Sequence, residues 1–380
     1  MSTSRTIRFE ADAAGPADAI ETLRLFPPGT LGEVSVEAVE SVEGTAVVVV
    51  APGRLRVREG DRPNEVEVEV ESWSADASAL RATFDALCTL VADPERRRIH
   101  SGGPSGTTSN DRAGSLAASL PEGVERVADL RMAVRCIDLT TLEGDDTPGR
   151  VRALCATALR PDPADPTVGP TAAVCIHPSL VSLAAELTEE SDVRVASVGG
   201  AFPTGLSSLD VRVADVVSAR ADGADEIDIV LNRSAFLSGD HELAERELRS
   251  QIEAAGGAHV KVIIEVGELS TDDAIATATR MAIAAGAHTV KTSTGKTAVN
   301  ATPRAVLVMA EELAKHHADT GEVVGIKIAG GVRTADDALG YLAIVRHTLG
   351  QAWIDPTRFR FGASSLLGAV VAELAMVEDR

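Results

Sequence analysis

Hydrophobic residues follow two different patterns along the 380-residue chain. Up to about residue 99, short runs such as EVEVEVESW (65–73) alternate apolar and polar side chains, which predicts strands with one solvated face. From about residue 131, runs that are largely apolar alternate with stretches whose apolar residues recur at i, i+3, i+4 and i+7. These runs predict parallel strands buried on both faces, and the stretches between them predict amphipathic helices.

The second pattern repeats eight times within residues 131–380. Eight strand–helix units over about 250 residues are typical of a (β/α)8 TIM barrel, and a doubly wound open sheet is less favoured because no nucleotide fingerprint is present. We therefore predict an α/β protein with a small N-terminal α+β domain (1–99), a flexible linker (100–115) and the barrel (116–380). A helix at residues 78–92 completes the first domain, which carries no catalytic motif.

Composition narrows the classes of partner. The chain has 57 acidic and 36 basic residues and a net charge of −21, so nucleic acid and anionic membrane surfaces are not expected partners. No apolar run reaches membrane-span length, no secretory signal is found and the four cysteines form no CxxC motif. We expect a cytoplasmic protein without a metal or cofactor. The alternating strands of the first domain could expose a sheet edge, so a homo-oligomer is also predicted.

Lysine is rare in this chain: five of the 36 basic residues are lysine and the other 31 are arginine. Lys291 and Lys327 end the sixth and seventh barrel strands, so their ammonium groups are expected to lie close together. They could form a structural ion-pair network, but we favour catalysis, because burial and a neighbouring cation lower the pKa of an amine. Asp228, within the fourth strand, is expected to pair with both lysines. Lys261 and Lys315 are interpreted as having no special role.

Three segments rich in glycine, serine or threonine follow the last three strands, where barrels often bind phosphate through backbone N–H groups. Asp138, at the end of the first strand, is like Asp228 a carboxylate within a largely apolar run. Cys175 is interpreted as a core residue rather than a nucleophile. The residues expected to bind the substrate or its phosphate are Asp138, Cys175, Thr294, Gly295, Lys296, Gly330, Gly331, Arg333, Ser364 and Ser365. The pattern indicates a barrel enzyme that forms a Schiff base with a small phosphorylated carbonyl compound.

Eight motifs, in order across about residues 125–380, resemble the deoxyribose-phosphate aldolase family. They are CIDLTTLEGDDT, AAVCIHP, VASVGGAFPTG, GADEIDIVLNRSAFLSGD, VKVIIEVGEL, VKTSTGKTAVNATP, GIKIAGGVRTADDA and FRFGASSLL. The resemblance implies that Lys291 forms the Schiff base, that Lys327 perturbs its pKa and that Asp228 joins the proton relay. The chain departs from many members at Ile328, where they have proline, and at His177, where they have tyrosine.

The resemblance implies reversible aldol cleavage of 2-deoxy-D-ribose 5-phosphate to D-glyceraldehyde 3-phosphate and acetaldehyde, in deoxyribose phosphate catabolism. Two alternatives are a related Schiff-base aldolase with an altered substrate and a non-catalytic barrel that binds sugar phosphates as a regulator. The regulator is disfavoured because Lys291, Lys327 and Asp228 are all present. A small sugar phosphate is the expected partner in each case.

Overall fold

The structure is a computed structural model. It describes residues 6–10, 29–31, 34–42, 45–50, 53–59, 65–73 and 109–378, with side chains between 109 and 377. The chain divides into two compact units, Met1–Gly106 and Thr107–Arg380. Within the described residues, no helix combines the length and apolar character needed to cross a membrane.

The first unit contains a six-stranded antiparallel sheet in the order β1-β6-β5-β4-β3-β2. Its strands are β1 (Thr6–Glu10), β2 (Gly29–Leu31), β3 (Val34–Val42), β4 (Thr45–Val50), β5 (Gly53–Glu59) and β6 (Glu65–Trp73). The alternating runs therefore form strands, as the sequence predicts. The helix predicted at residues 78–92 lies outside the described residues.

The second unit is a closed barrel of eight parallel strands, which confirms the predicted (β/α)8 fold. Each strand pairs with the next in the chain, and the eighth pairs with the first. The barrel strands are β7 (Ile137–Thr140), β8 (Ala173–Ile176), β9 (Arg194–Val198), β10 (Glu226–Val230), β11 (His259–Ile263), β12 (Thr289–Lys291), β13 (Gly325–Ala329) and β14 (Phe359–Ala363).

Helices precede the barrel and follow its strands. In chain order they are α1 (Ser109–Ala117), α2 (Gly123–Arg135), α3 (Pro148–Leu159), α4 (Val181–Thr188), α5 (Leu209–Ala221), α6 (Arg233–Leu237), α7 (His241–Ala254), α8 (Asp272–Ala284), α9 (Pro303–Thr320), α10 (Ala335–Leu349) and α11 (Leu366–Glu378). The first apolar run, MAVRCIDL, is helical up to Arg135, because Leu130, Ala133 and Val134 form the buried face of α2.

The flexible linker predicted at residues 100–115 differs from the structure in its second half. Residues 109–115 are helical, within α1, and belong to the barrel unit. The helix packs against α9 and α10 and buries Ala113 completely. Gly340 allows the close approach: a Cβ there would lie 2.8 Å from the carbonyl oxygen of Ala117. The small and polar residues that suggested a linker instead allow a short helix to lie close to its neighbours.

The barrel strands place apolar and charged side chains on opposite faces. Ile227 and Ile229 in β10, and Val260 and Val262 in β11, belong to the main apolar core. Since side chains alternate along a strand, the intervening Asp228 shares the other, inward face with its barrel counterparts. This inward face carries the charged groups from which the candidate site is built.

Candidate active site

Seven charged side chains from six strands meet inside the barrel, and their relative exposures lie between 0 and 9 %. They are Asp138 in β7, Glu226 and Asp228 in β10, Lys261 in β11, Lys291 in β12, Lys327 in β13 and Arg360 in β14. Burial of so many charges requires that they pair with one another. We call this group the charged cluster.

Lys291 and Lys327 lie side by side, as predicted from their strands. The two residues are register partners on β12 and β13. Their Nζ atoms donate to the same Oδ2 of Asp228, at 2.7 and 2.8 Å. Lys327 also donates to Asp138 Oδ2 at 2.5 Å. Gly362 leaves room for this lysine, because a Cβ there would lie 3.0 Å from Lys327 Cε.

Lys261, interpreted from the sequence as a residue without special role, is buried within the charged cluster. Its Nζ lies 2.9 Å from Asp228 Oδ1 and 2.5 Å from Glu226 Oε2. Arg360 Nη1 donates to Asp138 Oδ1 at 2.5 Å, and its Nη2 donates to Glu226 Oε1 at 2.8 Å. Lys261, Glu226 and Arg360 were therefore missed as members of the site. Glu226 lies two residues before Asp228, and the alternation of side chains along a strand is the sequence signal that could have identified it. Lys261 and Arg360 are register partners of Asp228 and Lys327, a relation that the folded sheet sets.

Lys291 differs from the other lysines of the cluster in the direction in which its pKa is shifted. Its pKa is lowered from the ordinary lysine value by burial and, in the same direction, by the Lys327 ammonium, while Asp228 opposes the shift. The pKa of Lys327 is instead raised: burial would lower it, but Asp138 and Asp228 outweigh burial. Lys291 is thus the amine that loses its proton most readily.

Charge balance in the cluster agrees with this assignment. Within the described residues it contains four cationic side chains and three carboxylates, so one neutral lysine leaves it balanced. Burial would raise the pKa of Asp228, yet that pKa lies well below its usual range because the amino groups of Lys261, Lys291 and Lys327 surround it. Each of the three carboxylates forms ion pairs with cationic side chains of the cluster. Among the described residues, no group of three or more histidine, cysteine, aspartate or glutamate side chains is arranged to hold a metal ion.

An open cavity of about 210 Å³ lies at the carboxyl ends of the strands, where Lys291 borders it. Eight of the predicted substrate-binding residues line it: Thr294, Gly295, Lys296, Gly330, Gly331, Arg333, Ser364 and Ser365. Asp138 and Cys175 are not among the lining residues and are completely buried. The ten residues predicted to bind the substrate thus fall into two groups: eight line the cavity, and two are buried and do not line it.

Three glycines and the residues just before a helix line the cavity wall. Gly295, Gly330 and Gly331 have φ values of 80°, 79° and 84°, which glycine adopts without the strain of a side chain. Ser364 and Ser365 directly precede α11, whose first N–H groups and positive dipole end favour negative charge.

The β12–α9 loop is held by a buried carboxylate. Glu265 accepts hydrogen bonds from Thr294 N at 3.2 Å and from Thr294 Oγ1 at 2.5 Å. It also pairs with Arg233 Nη1 at 3.1 Å. In the same loop, Lys296 Nζ contacts Glu143 Oε1 at 2.9 Å, and both residues border the cavity.

Neither Cys175 nor His177 lines the cavity that Lys291 borders. Cys175 Sγ lies 3.9 Å from Asp228 Oδ2, and burial raises the pKa of the thiol, which agrees with a core residue rather than a nucleophile. His177 lines a second cavity, together with Glu143, and not the one that Lys291 borders. Ile328 is buried in the apolar core.

A sequence model described as DeoC/LacD family aldolase matches residues 132–367. The chain belongs to this family. The aldolase is 41% identical over 241 residues to a Caenorhabditis elegans protein provisionally named deoxyribose-phosphate aldolase, covering 63% of this chain and 79% of that protein. It is 39% identical over 259 residues to the deoxyribose-phosphate aldolase of Homo sapiens, covering 66% and 81%.

The aldolase also resembles a solved structure described as the unique tetrameric structure of deoxyribose phosphate aldolase from Aeropyrum pernix. The match has a TM-score of 0.52 at 26% identity and covers 67% of this chain and 100% of that one. The family and the barrel predicted from sequence are therefore confirmed.

Proposed function

We propose that the aldolase reversibly cleaves 2-deoxy-D-ribose 5-phosphate to D-glyceraldehyde 3-phosphate and acetaldehyde, through a Schiff base on Lys291 Nζ. The observation that carries the proposal is the position of Lys291. Among the described residues, Lys291 is the one member of the charged cluster that lines the cavity, and its pKa is lowered. A buried lysine with a lowered pKa supplies the neutral amine that imine formation requires. The names of the human and worm relatives support the choice of substrate.

Imine formation begins with attack of the neutral amine on the C1 aldehyde of the open-chain sugar. The resulting carbinolamine takes up a proton and loses water, which leaves a protonated imine that withdraws electrons from C2. Asp228 Oδ2 contacts both Lys291 Nζ and Lys327 Nζ, so a proton can travel between the two nitrogens through this carboxylate. Lys327 retains a proton and holds positive charge beside the reacting amine.

Cleavage breaks the C2–C3 bond. A base removes the proton of the C3 hydroxyl, the C3 oxygen becomes the aldehyde of glyceraldehyde 3-phosphate, and the electron pair moves to the imine as an enamine. Protonation of the enamine carbon gives the imine of acetaldehyde. Water hydrolyses this imine, which releases acetaldehyde and restores the amine of Lys291. The reverse sequence forms the same bond.

The phosphate of the substrate is proposed to bind at the glycine and serine wall of the cavity. We expect Ser365→Glu to raise KM for 2-deoxyribose 5-phosphate by about 10-fold or more, since a carboxylate at the start of α11 repels the phosphate. The same change should leave KM for unphosphorylated 2-deoxyribose nearly unchanged. Steady-state kinetics with both sugars checks this, with Ser365→Gln as the uncharged control of equal size. An equal loss with both sugars would place the phosphate elsewhere.

Residues 107–380 are proposed to carry the whole reaction, since the barrel and the cavity lie within them. A chain that begins at Thr107 should keep kcat within about threefold of the full chain. A chain that begins at Ser119 lacks α1 and should unfold at a temperature lower by about 5 °C or more, because the α9 and α10 surfaces that α1 covers become exposed. Kinetics and thermal unfolding of both chains test the two statements. A folded but inactive 107–380 would assign residues 1–106 a part in catalysis.

A further inference from the structure

All three nitrogens of the Arg360 guanidinium donate hydrogen bonds within the barrel. Nη1 donates to Asp138 Oδ1 at 2.5 Å, Nη2 donates to Glu226 Oε1 at 2.8 Å, and Nε donates to the carbonyl oxygen of Pro356. Arg360 precedes Gly362 by two residues, and Glu226 precedes Asp228 by two, so this arginine and this glutamate lie one inward layer closer to the amino ends of their strands.

Each carboxylate held by Arg360 offers its second oxygen to a lysine. Asp138 binds Arg360 through Oδ1 and Lys327 through Oδ2, the latter at 2.5 Å. Glu226 accepts from Arg360 Nη2 through Oε1 at 2.8 Å. Its Oε2 accepts from Arg360 Nη1 at 3.2 Å and contacts Lys261 Nζ at 2.5 Å. One fork of hydrogen bonds therefore fixes the rotation of two carboxylates.

The two lysines meet again at Asp228. Lys261 Nζ lies 2.9 Å from its Oδ1, and Lys327 Nζ lies 2.8 Å from its Oδ2. The Oδ2 atom also accepts from Lys291 at 2.7 Å. A rotation of Asp138 or Glu226 would displace Lys327 or Lys261, which orient Asp228. The hydrogen bond between Asp228 and Lys291 would then change as well.

We propose that Arg360 is a positioning residue of the aldolase, whose fork locks Asp138 and Glu226 so that Lys327 and Lys261 hold Asp228 against Lys291. The inference rests on the proposed function of Lys291. Arg360 borders no part of the cavity that Lys291 borders, so it acts only through these neighbours.

The fork, and not charge alone, is what this role requires. A planar guanidinium can bind one carboxylate through each Nη and still reach a carbonyl through Nε, whereas a lysine ammonium is a point charge on a flexible stem. Arg360→Lys therefore keeps the charge of the cluster and removes the fixed geometry. The groups that face Lys291 directly, namely Asp228, Lys327 and Cys175, are not substituted in this variant, so only their positions can change.

Arg360→Lys should lower kcat by about 10-fold or more with KM changed by less than about twofold. The rising limb of kcat against pH should move to higher pH, because a displaced Lys327 lowers the pKa of Lys291 less. Arg346→Lys is the matched control: Arg346 forms a fork with Asp129, at 2.9 and 2.6 Å, between α10 and α2 outside the barrel. It should leave kcat and the pH profile unchanged.

The decisive readout is the pH dependence of borohydride trapping with acetaldehyde at Lys291, measured by peptide mass in the wild-type chain and in both variants. A trapping profile of Arg360→Lys that coincides with the wild-type profile overturns the positioning role. Absence of a Lys291 adduct in the wild-type chain instead overturns the proposed function, so the two failures are distinguishable. If Arg360→Lys does not fold, Glu226→Gln removes one side of the fork, and an unchanged kcat in that variant contradicts the inference.

Discussion

Lys291→Arg is expected to abolish turnover, with a fall in kcat of about 10⁴-fold or more. Arginine keeps the positive charge beside Asp228 and a side chain of similar length, but its guanidinium stays protonated and cannot form an imine. Loss of the amine therefore removes the covalent step while the ion pair with Asp228 can persist. The measurement is cleavage of 2-deoxyribose 5-phosphate, followed by coupled detection of glyceraldehyde 3-phosphate.

The control for this change is another lysine. Lys315→Arg alters an exposed residue of α9 that pairs with Glu312 at 2.6 Å, and it should leave kcat unchanged. Circular dichroism and thermal unfolding of both variants establish that the barrel is intact. Substantial activity in a folded Lys291→Arg chain would show that another group performs the reaction.

Lys327→Met should lower kcat by about 10²-fold at neutral pH and shift the activity profile to higher pH. Lys327 is one cause of the lowered pKa of Lys291, so its removal raises that pKa. Since imine formation needs the neutral amine, activity that rises with pH through the pKa of Lys291 will then rise at a higher pH. The profile of kcat between about pH 6 and about pH 10 tests the shift.

The same substitution removes a buried partner of Asp138 and Asp228, which costs about 3–5 kcal/mol of unfolding free energy. Urea unfolding separates this loss from the catalytic effect, because kcat is measured on the folded fraction. A folded Lys327→Met chain with an unshifted profile would make Lys327 a structural residue. Loss of stability without a change in the profile would likewise assign Lys327 a structural role alone.

The barrel could be predicted from sequence because its signal is local and repeated. Eight largely apolar strands alternate with amphipathic helices, and few other folds contain that pattern. Lys291, Lys327 and Asp228 could be singled out because a charge inside an apolar strand requires a partner. The glycine and serine segments could be placed at one edge because they follow consecutive strands.

Arg360 and Glu226 escaped detection because closure of the barrel creates their contacts. Arg360 lies 222 residues from Asp138 and 134 residues from Glu226 along the chain. Lys261 was dismissed although it is the register partner of Asp228, because register between strands is set by the folded sheet. The helix at Ser109–Ala117 was hidden by its small and polar residues, and its stability comes from packing on α9 and α10.

The central claim is that Lys291 Nζ carries the covalent intermediate, and trapping tests it most directly. The full chain is incubated with acetaldehyde and borohydride, digested, and mapped by mass spectrometry across the peptides of its five lysines. We predict one stoichiometric reduced two-carbon adduct, on Lys291, that inorganic phosphate does not abolish and that Lys291→Arg eliminates. A principal adduct on Lys261, Lys296 or Lys327, or no adduct on Lys291 in the active wild-type chain, would contradict the account.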